Sequence, residues 1–164
     1  MPALETVLTS LERAPALARE MVDEMPPRLR TRRLRPEKWS LHEHACHLAV
    51  AQDLFEQRLA LMLAEDNPAI RPYNPDQDEA PDRLLQLDLA ATLDRFASER
   101  ARLVARLRGL TPAQWQRPGR HPEYTPYTVY IMFRHAALHD GLHLYRMEEL
   151  LLAPAFTTAG VSER

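Results

Sequence analysis

An all-α fold, an antiparallel four-helix bundle, is what the sequence predicts, and three observations carry that prediction. Four segments rich in Leu, Ala, Glu and Arg, residues that lose little side-chain freedom in a helix, alternate with proline-rich joints. The joints hold Pro26, Pro27 and Pro36, then Pro68, Pro72, Pro75 and Pro81, then Pro112, Pro118, Pro122 and Pro126. Proline ends helices because it lacks an amide donor and clashes with the preceding turn. Glycine is scarce, 4 residues against 14 prolines, and neither an alternating strand pattern nor a hairpin dipeptide occurs. The 164 residues suit one core rather than two, so residues 1–153 are expected to form a single domain, with 154–164 a frayed tail.

The first helical segment, 3–24, is interrupted by Pro15, which predicts two short pieces with the proline at the start of the second. The second runs from about Ser40 to about Glu65. Ser40 is a good N-cap, Glu43 stands in capping-box position, and Leu41, Ala45, Leu48, Ala51, Phe55, Leu59 and Met62 form one apolar face. The third is expected from about Asp82 to Arg108, with Gly109 placed to stop it. Its stripe is Leu89, Leu93, Phe96, Arg100, Leu103, Leu107 and Leu110. Thr111-Pro112 opens a short turn around Trp115. The fourth segment, about 127–152, is apolar on nearly every side at its start, which predicts deep burial.

Charge is balanced, with 21 basic and 23 acidic residues, net charge -2 and pI near 6.4. No footprint for a phosphate backbone is visible, so nucleic acid is not an expected partner. The basic cluster Arg28, Arg30, Arg32, Arg33 and Arg35 lies between prolines and reads as a solvated inter-helix loop. Cys46 is the single cysteine, which excludes an intrachain disulfide and fits a reducing compartment. The first residues lack a signal-peptide layout, and no uncharged run approaches the ~20 residues that span a bilayer. A cytoplasmic protein with no membrane partner is the expectation.

Of the 7 histidines, all but His121 fall within 42–47 and 135–143. On the fourth helix the inward face runs Met132, Ala136, His139, His143, Met147, Leu150, so two imidazoles occupy consecutive core positions one turn apart. A buried histidine is usually a hydrogen-bonded core residue, but two stacked in one stripe call for a shared partner. At about 100° per residue, His47 lies within the apolar arc of the second helix, while His42 and His44 fall toward its edges. His135 sits about 80° off the stripe of the fourth helix and reads as a supporting residue. Three neutral imidazoles with a vacant position are the donor set of a catalytic zinc site rather than a closed structural one. The vacant position would take a water or a thiol, and nickel, iron or another divalent ion would accept the same ligands. Glu43, one turn before His47, and Asp140, beside His139, are candidates to orient the imidazoles or act as a base; surface solvation is the competing reading.

These residues resemble a known family. WSLHEHACHL, with Trp39-Ser40 and His47-Leu48, then Phe55 and Arg58, Phe96 and Arg100, and HAALHDGLHLYRMEEL are similar to the DinB-like superfamily of metal-dependent proteins. The resemblance implies an up-down-down-up bundle, often dimeric, with zinc or nickel on His47, His139 and His143. It also implies chemistry such as thiol-dependent transfer or isomerisation using a low-molecular-weight thiol. Relatives often carry a glutamine near Tyr145-Arg146 and a glycine where Glu123-Tyr124 stand, so the resemblance carries the metal site but not the substrate.

Arg58 falls within about 20° of His47 on the helical wheel, and Arg100 replaces an apolar stripe residue. A buried guanidinium requires an anion or several carbonyls. A salt bridge to an acidic residue such as Glu56, Asp94 or Glu99 would satisfy either arginine, and so would a substrate carboxylate. At 11 residues from His47, about 16 Å along a helix, Arg58 is too far to touch a metal-bound atom. Arg58, Arg100 and Tyr145 are therefore the candidates for holding a substrate or thiol. Trp39 and Trp115 are expected at the bundle ends, and Cys46, pointing about 100° away from His47, in the core. The functions that follow are a metal-dependent hydrolase or a thiol-dependent transferase acting on a small molecule. The alternative is a non-catalytic bundle that binds a small ligand or partner and holds its metal structurally.

Overall fold

The four helices that follow the first each begin where a short polar side chain takes over an orphan backbone amide. Ser40 accepts from the Glu43 amide, Asp88 from Ala91, Thr111 from Gln114 and Thr128 from Ile131, the last three at the N-caps of the later helices. The resulting elements, in a computed structural model that describes residues 2–73, 80 and 82–157, are α1 (Pro2–Glu24), α2 (Leu41–Ala64), α3 (Leu89–Arg108), the short α4 (Pro112–Trp115), α5 (Val129–Leu151) and the short α6 (Pro154–Thr157). Turns of 3-10 helix cover Pro27–Leu29 and Arg83–Gln86. No strand occurs among the described residues, and no helix among them is long and apolar enough to cross a membrane.

Two helix boundaries differ from expectation. α1 does not split: it continues through Pro15. The carbonyl that Pro15 leaves without a helical donor is that of Leu11, four residues back, and it accepts Nη1 of Arg100 at 2.9 Å. α3 begins at Leu89, not near Asp82. Asp82 adopts a left-handed conformation, φ 57°, and its carboxylate receives Arg33 at 2.6 Å, while Asp88 caps the helix. The 3-10 turn between them buries Leu84 and docks on α2, where the Leu84 carbonyl meets His42 Nε2 at 3.0 Å. Gly109 does close α3, in a right-handed conformation with φ −82°.

Apolar side chains form two clusters, one toward each end of the bundle. Val7, Leu8, Leu11, Phe55, Leu59, Met62, Leu103, Leu107, Met132 and Phe133 belong to the first. Ala18, Val22, Met25, Leu41, Ala45, Leu48, Leu93, Phe96, Met147 and Leu150 belong to the second. Chain direction follows: α1 and α5 run from the first cluster to the second, α2 and α3 the opposite way, which is up-down-down-up. α1 and α2 each pack on both α3 and α5, so the diagonal pairs are α1 with α2 and α3 with α5. Because α2 and α3 are parallel neighbours, the chain must travel the bundle's full length between them. Part of that crossover is tied to the loop before α5 by hydrogen bonds from the Ile70 amide to the Arg120 carbonyl and from the Arg120 amide to the Pro68 carbonyl, both 2.8 Å.

Between the clusters lies a polar layer to which every long helix contributes. Arg100 on α3, 2% exposed, donates to the α1 carbonyl of Leu11, to Gln52 Oε1 on α2 at 2.6 Å and to Asp140 Oδ2 on α5 at 2.5 Å. The salt bridge expected for Arg100 therefore exists, but its partner is Asp140 rather than Glu56, Asp94 or Glu99. Trp115 packs at the bundle end against Phe133, whereas Trp39 lies against histidines. The first residues of the expected frayed tail are ordered as α6, with Phe156 buried beneath the Arg32 guanidinium. Residues 158–164, and Pro75 and Pro81 of the second joint, lie outside the described residues.

Candidate metal centre

His47 projects from α2, and His139 and His143 project from consecutive turns of α5, the antiparallel neighbour of α2. One nitrogen from each lies within 4.8 Å of the others, and these are the only three His, Cys, Asp or Glu side chains among the described residues that gather in this way. His47 Nε2 and His139 Nε2 are 3.0 Å apart, and the His143 ring centroid is 4.5 Å from both other rings. Trp39, just before α2, closes the cluster: its ring lies 4.8 Å from His47 and stacks on His143 at 5.7 Å.

Burial holds the imidazoles of His47 and His143 neutral. Loss of hydration, with a smaller effect from neighbouring histidines, pulls His47 down to about 3 and His143 down to about 2. Two such nitrogens facing each other cannot both keep a lone pair free without a shared cation or proton. A tetrahedral ion with bonds of about 2.0–2.1 Å holds its nitrogens ~3.3 Å apart, within the range the three histidines span. The donor set thus fits one divalent ion with a position left over. An all-nitrogen set suits zinc, nickel, copper or iron.

The outer nitrogens are held unequally. Nδ1 of His47 and Nδ1 of His139 are buried without a hydrogen-bond partner. His143 Nδ1 meets His44 Nδ1 at 2.9 Å. His44 is the residue that the helical wheel left at the edge of the arc. Asp140, beside His139, does not hold its ring: Oδ1 is 3.8 Å from His139 Nδ1, beyond hydrogen-bond range, and the other oxygen serves Arg100. Glu43 is occupied as well. Its carboxylate accepts the Ser40 amide and hydroxyl, both at 2.8 Å, and pairs with Arg33. Burial pushes this carboxyl up, but Arg33 and Ser40 outweigh it, and the group lies below the usual range. Both candidate bases are thereby committed to structural partners.

A cavity of about 130 Å³ opens beside the cluster, with His47 and His139 at one end and Arg58, Tyr73, Glu123, Tyr124 and His135 among its walls. Arg58 donates to the Arg71 carbonyl at 2.7 Å, while its Nε is buried without a partner. The structure thus places Arg58 on the cavity and Arg100 in the buried polar layer. Tyr145 lies on the outside of α5, 60% exposed, away from the cavity. Glu123 is the carboxylate lining the cavity, and no helical periodicity could flag it because it sits in a loop. Cys46 is buried, its thiol pushed up to about 12 by lost hydration, which keeps it protonated and unreactive.

Residues 10–147 match the DinB superfamily along most of the chain. The chain belongs to the DinB superfamily. Among solved structures, this DinB-superfamily chain is similar to YfiT from Bacillus subtilis, described as "a probable metal-dependent hydrolase with an unusual four-helix bundle topology". Sequence identity is 27%, the TM-score is 0.79, and the match covers 90% of this chain and 85% of that one. No curated protein matches the sequence. The up-down-down-up order agrees with the resemblance drawn from the histidine motifs.

Proposed function

We propose that this DinB-superfamily chain is a divalent-metal-dependent hydrolase of small anionic molecules, with zinc or nickel held by His47, His139 and His143. The observation that carries this reading is the convergence of His47, His139 and His143, two of which line an adjoining cavity, with no fourth protein ligand among the described residues. When bound, the ion supplies Lewis-acid polarisation and acidifies a water or thiol in its vacant position. The chain's own residues do the rest. Arg58, with its unpartnered Nε, is placed to take a carboxylate or similar anion, and Tyr73 and Tyr124 give the cavity an aromatic wall. Glu123 is the carboxylate available to accept a proton. The single, buried Cys46 fits a reducing cytoplasm.

The engagement of Glu43 and Asp140 also favours a second reading, transfer of a low-molecular-weight thiol, which needs no protein base once a metal has acidified the thiol. Glu123→Gln separates the two: hydrolysis falls by about 10²–10⁴, whereas thiol transfer is spared. The first test is metal content of untagged protein. We expect about one ion per chain, lost in His139→Ala; wild-type protein that takes up no divalent ion overturns the proposal, and an ion that resists substrate-sized chelators points instead to a structural role. A homodimer is also proposed, since Leu138, Leu142 and Tyr145 expose one apolar stripe on α5, and light scattering of the wild type against Leu142→Glu checks it.

A further inference from the structure

Two imidazoles that share a hydrogen bond through their Nδ1 atoms must divide the roles of donor and acceptor, and that division decides what each ring offers on its other side. His44 and His143 are such a pair, 2.9 Å apart. Neither ring is free to turn away. Trp39 meets the His44 ring edge-on at 5.4 Å and stacks on the His143 ring, so both are held between the indole and the helices.

We propose that His44 is a positioning residue for the metal centre: its Nδ1 accepts the Nδ1–H of His143, fixing the tautomer in which His143 Nε2 carries a lone pair for a metal ion. This rests on the metal-centre reading above. The reverse polarity would put the proton of His143 on Nε2, the nitrogen left for coordination, and would remove it from the ligand set. With His143 as donor, His44 carries its own proton on Nε2. That side of His44 is not enclosed, since the residue is half-buried and lines a separate cavity of about 540 Å³ with Trp39, Arg146 and Glu149. His47 and His139 have no such partner on Nδ1. His143 is therefore the ligand oriented before any ion arrives, and His44 is the residue that orients it. Loss of a partner of this kind typically costs 10–100-fold in metal affinity.

The test compares His44→Phe, which keeps a ring but has no acceptor, with His44→Asn, whose side-chain carbonyl can take the place of Nδ1. Zinc affinity is measured by chelator competition. We expect His44→Phe to bind 10–100-fold more weakly than wild type and His44→Asn to stay within about threefold. Equal affinity of His44→Phe and wild type overturns the proposal while leaving the metal centre standing; a wild type that binds no zinc overturns both. A second readout needs neither metal nor variant. Long-range proton–nitrogen correlation spectra of the metal-free wild type should show His143 as the Nδ1–H tautomer and His44 as the Nε2–H tautomer. An Nε2–H tautomer at His143 refutes the assignment even if His44→Phe fails to fold.

Discussion

Removing Asp140 should damage this bundle more than removing any other single carboxylate. Arg100 is 2% exposed and Asp140 3%, so Asp140→Ala leaves a guanidinium buried with two neutral acceptors, Leu11 O and Gln52 Oε1, and no counter-charge. Breaking a buried pair from one side typically costs about 3–5 kcal/mol, a large part of the ~5–15 kcal/mol that stabilises a domain. For a chain of this size each kcal/mol moves the melting temperature by about 2–4 °C, so the drop should be about 6–20 °C. Arg100→Met should cost a similar amount, because it orphans a carboxylate, an amide oxygen and the carbonyl that Pro15 already left without a helical donor. The double variant Arg100→Met/Asp140→Leu removes both charges and should be more stable than either single variant. Urea denaturation with excess chelator reads all four proteins without metal, so that any effect on His139 does not enter. An Asp140→Ala loss below about 1 kcal/mol, or a double variant as unstable as the two singles added together, refutes the idea that this layer is a coupled charge pair holding four helices in register.

The metal-free protein should lose stability on acidification. His44, His47 and His143 are pulled by burial to about 4, 3 and 2, below the ~6.5 of an unfolded histidine, so between those limits the unfolded chain binds more protons. Stability then falls as pH drops below ~6.5, by up to about 1.4 kcal/mol per pH unit for a fully buried residue such as His47, and a denaturation midpoint flat from pH 7 to 5 contradicts it. Gly119→Ala should destabilise by about 1–3 kcal/mol in thermal melts, since a Cβ there would stand 3.0 Å from Ile70 Cγ1 and 3.2 Å from Met62 Cε. An unchanged melting temperature would mean that the crossover between α2 and α3 is not clamped against this loop.

What was legible in the sequence is what periodicity and capping encode. The stripes of α2 and α5, the Ser40 capping box and the inward placement of His47, His139 and His143 follow from residues within a turn or two of each other. The misjudged features depend on distant partners. α1 passes through Pro15 because Arg100, 89 positions away from Leu11, takes up the freed carbonyl. α3 starts only at Leu89, capped by Asp88, because Asp82 is drawn to Arg33 and the intervening turn is docked on His42. Arg100 pairs across a diagonal of the bundle with a residue on a helix whose rotation no stripe in α3 specifies.

His44 belongs between these cases, because the chain direction supplies the missing step. In an antiparallel pair, one turn back along α2 corresponds to one turn forward along α5. If His47 faces His139, then His44 faces His143, and the turn on the other side places Ala51 against His135. The observed contacts follow that ladder: the first two rungs are nitrogen–nitrogen pairs at 3.0 and 2.9 Å. On the third rung a methyl group replaces what would be another large side chain, and there the cavity opens, with Ala51 and His135 both on its wall. The cluster and the space beside it are thus consecutive steps of a single helix–helix contact. A residue judged by its own helical wheel alone, as His44 was, is judged on half of the geometry that places it.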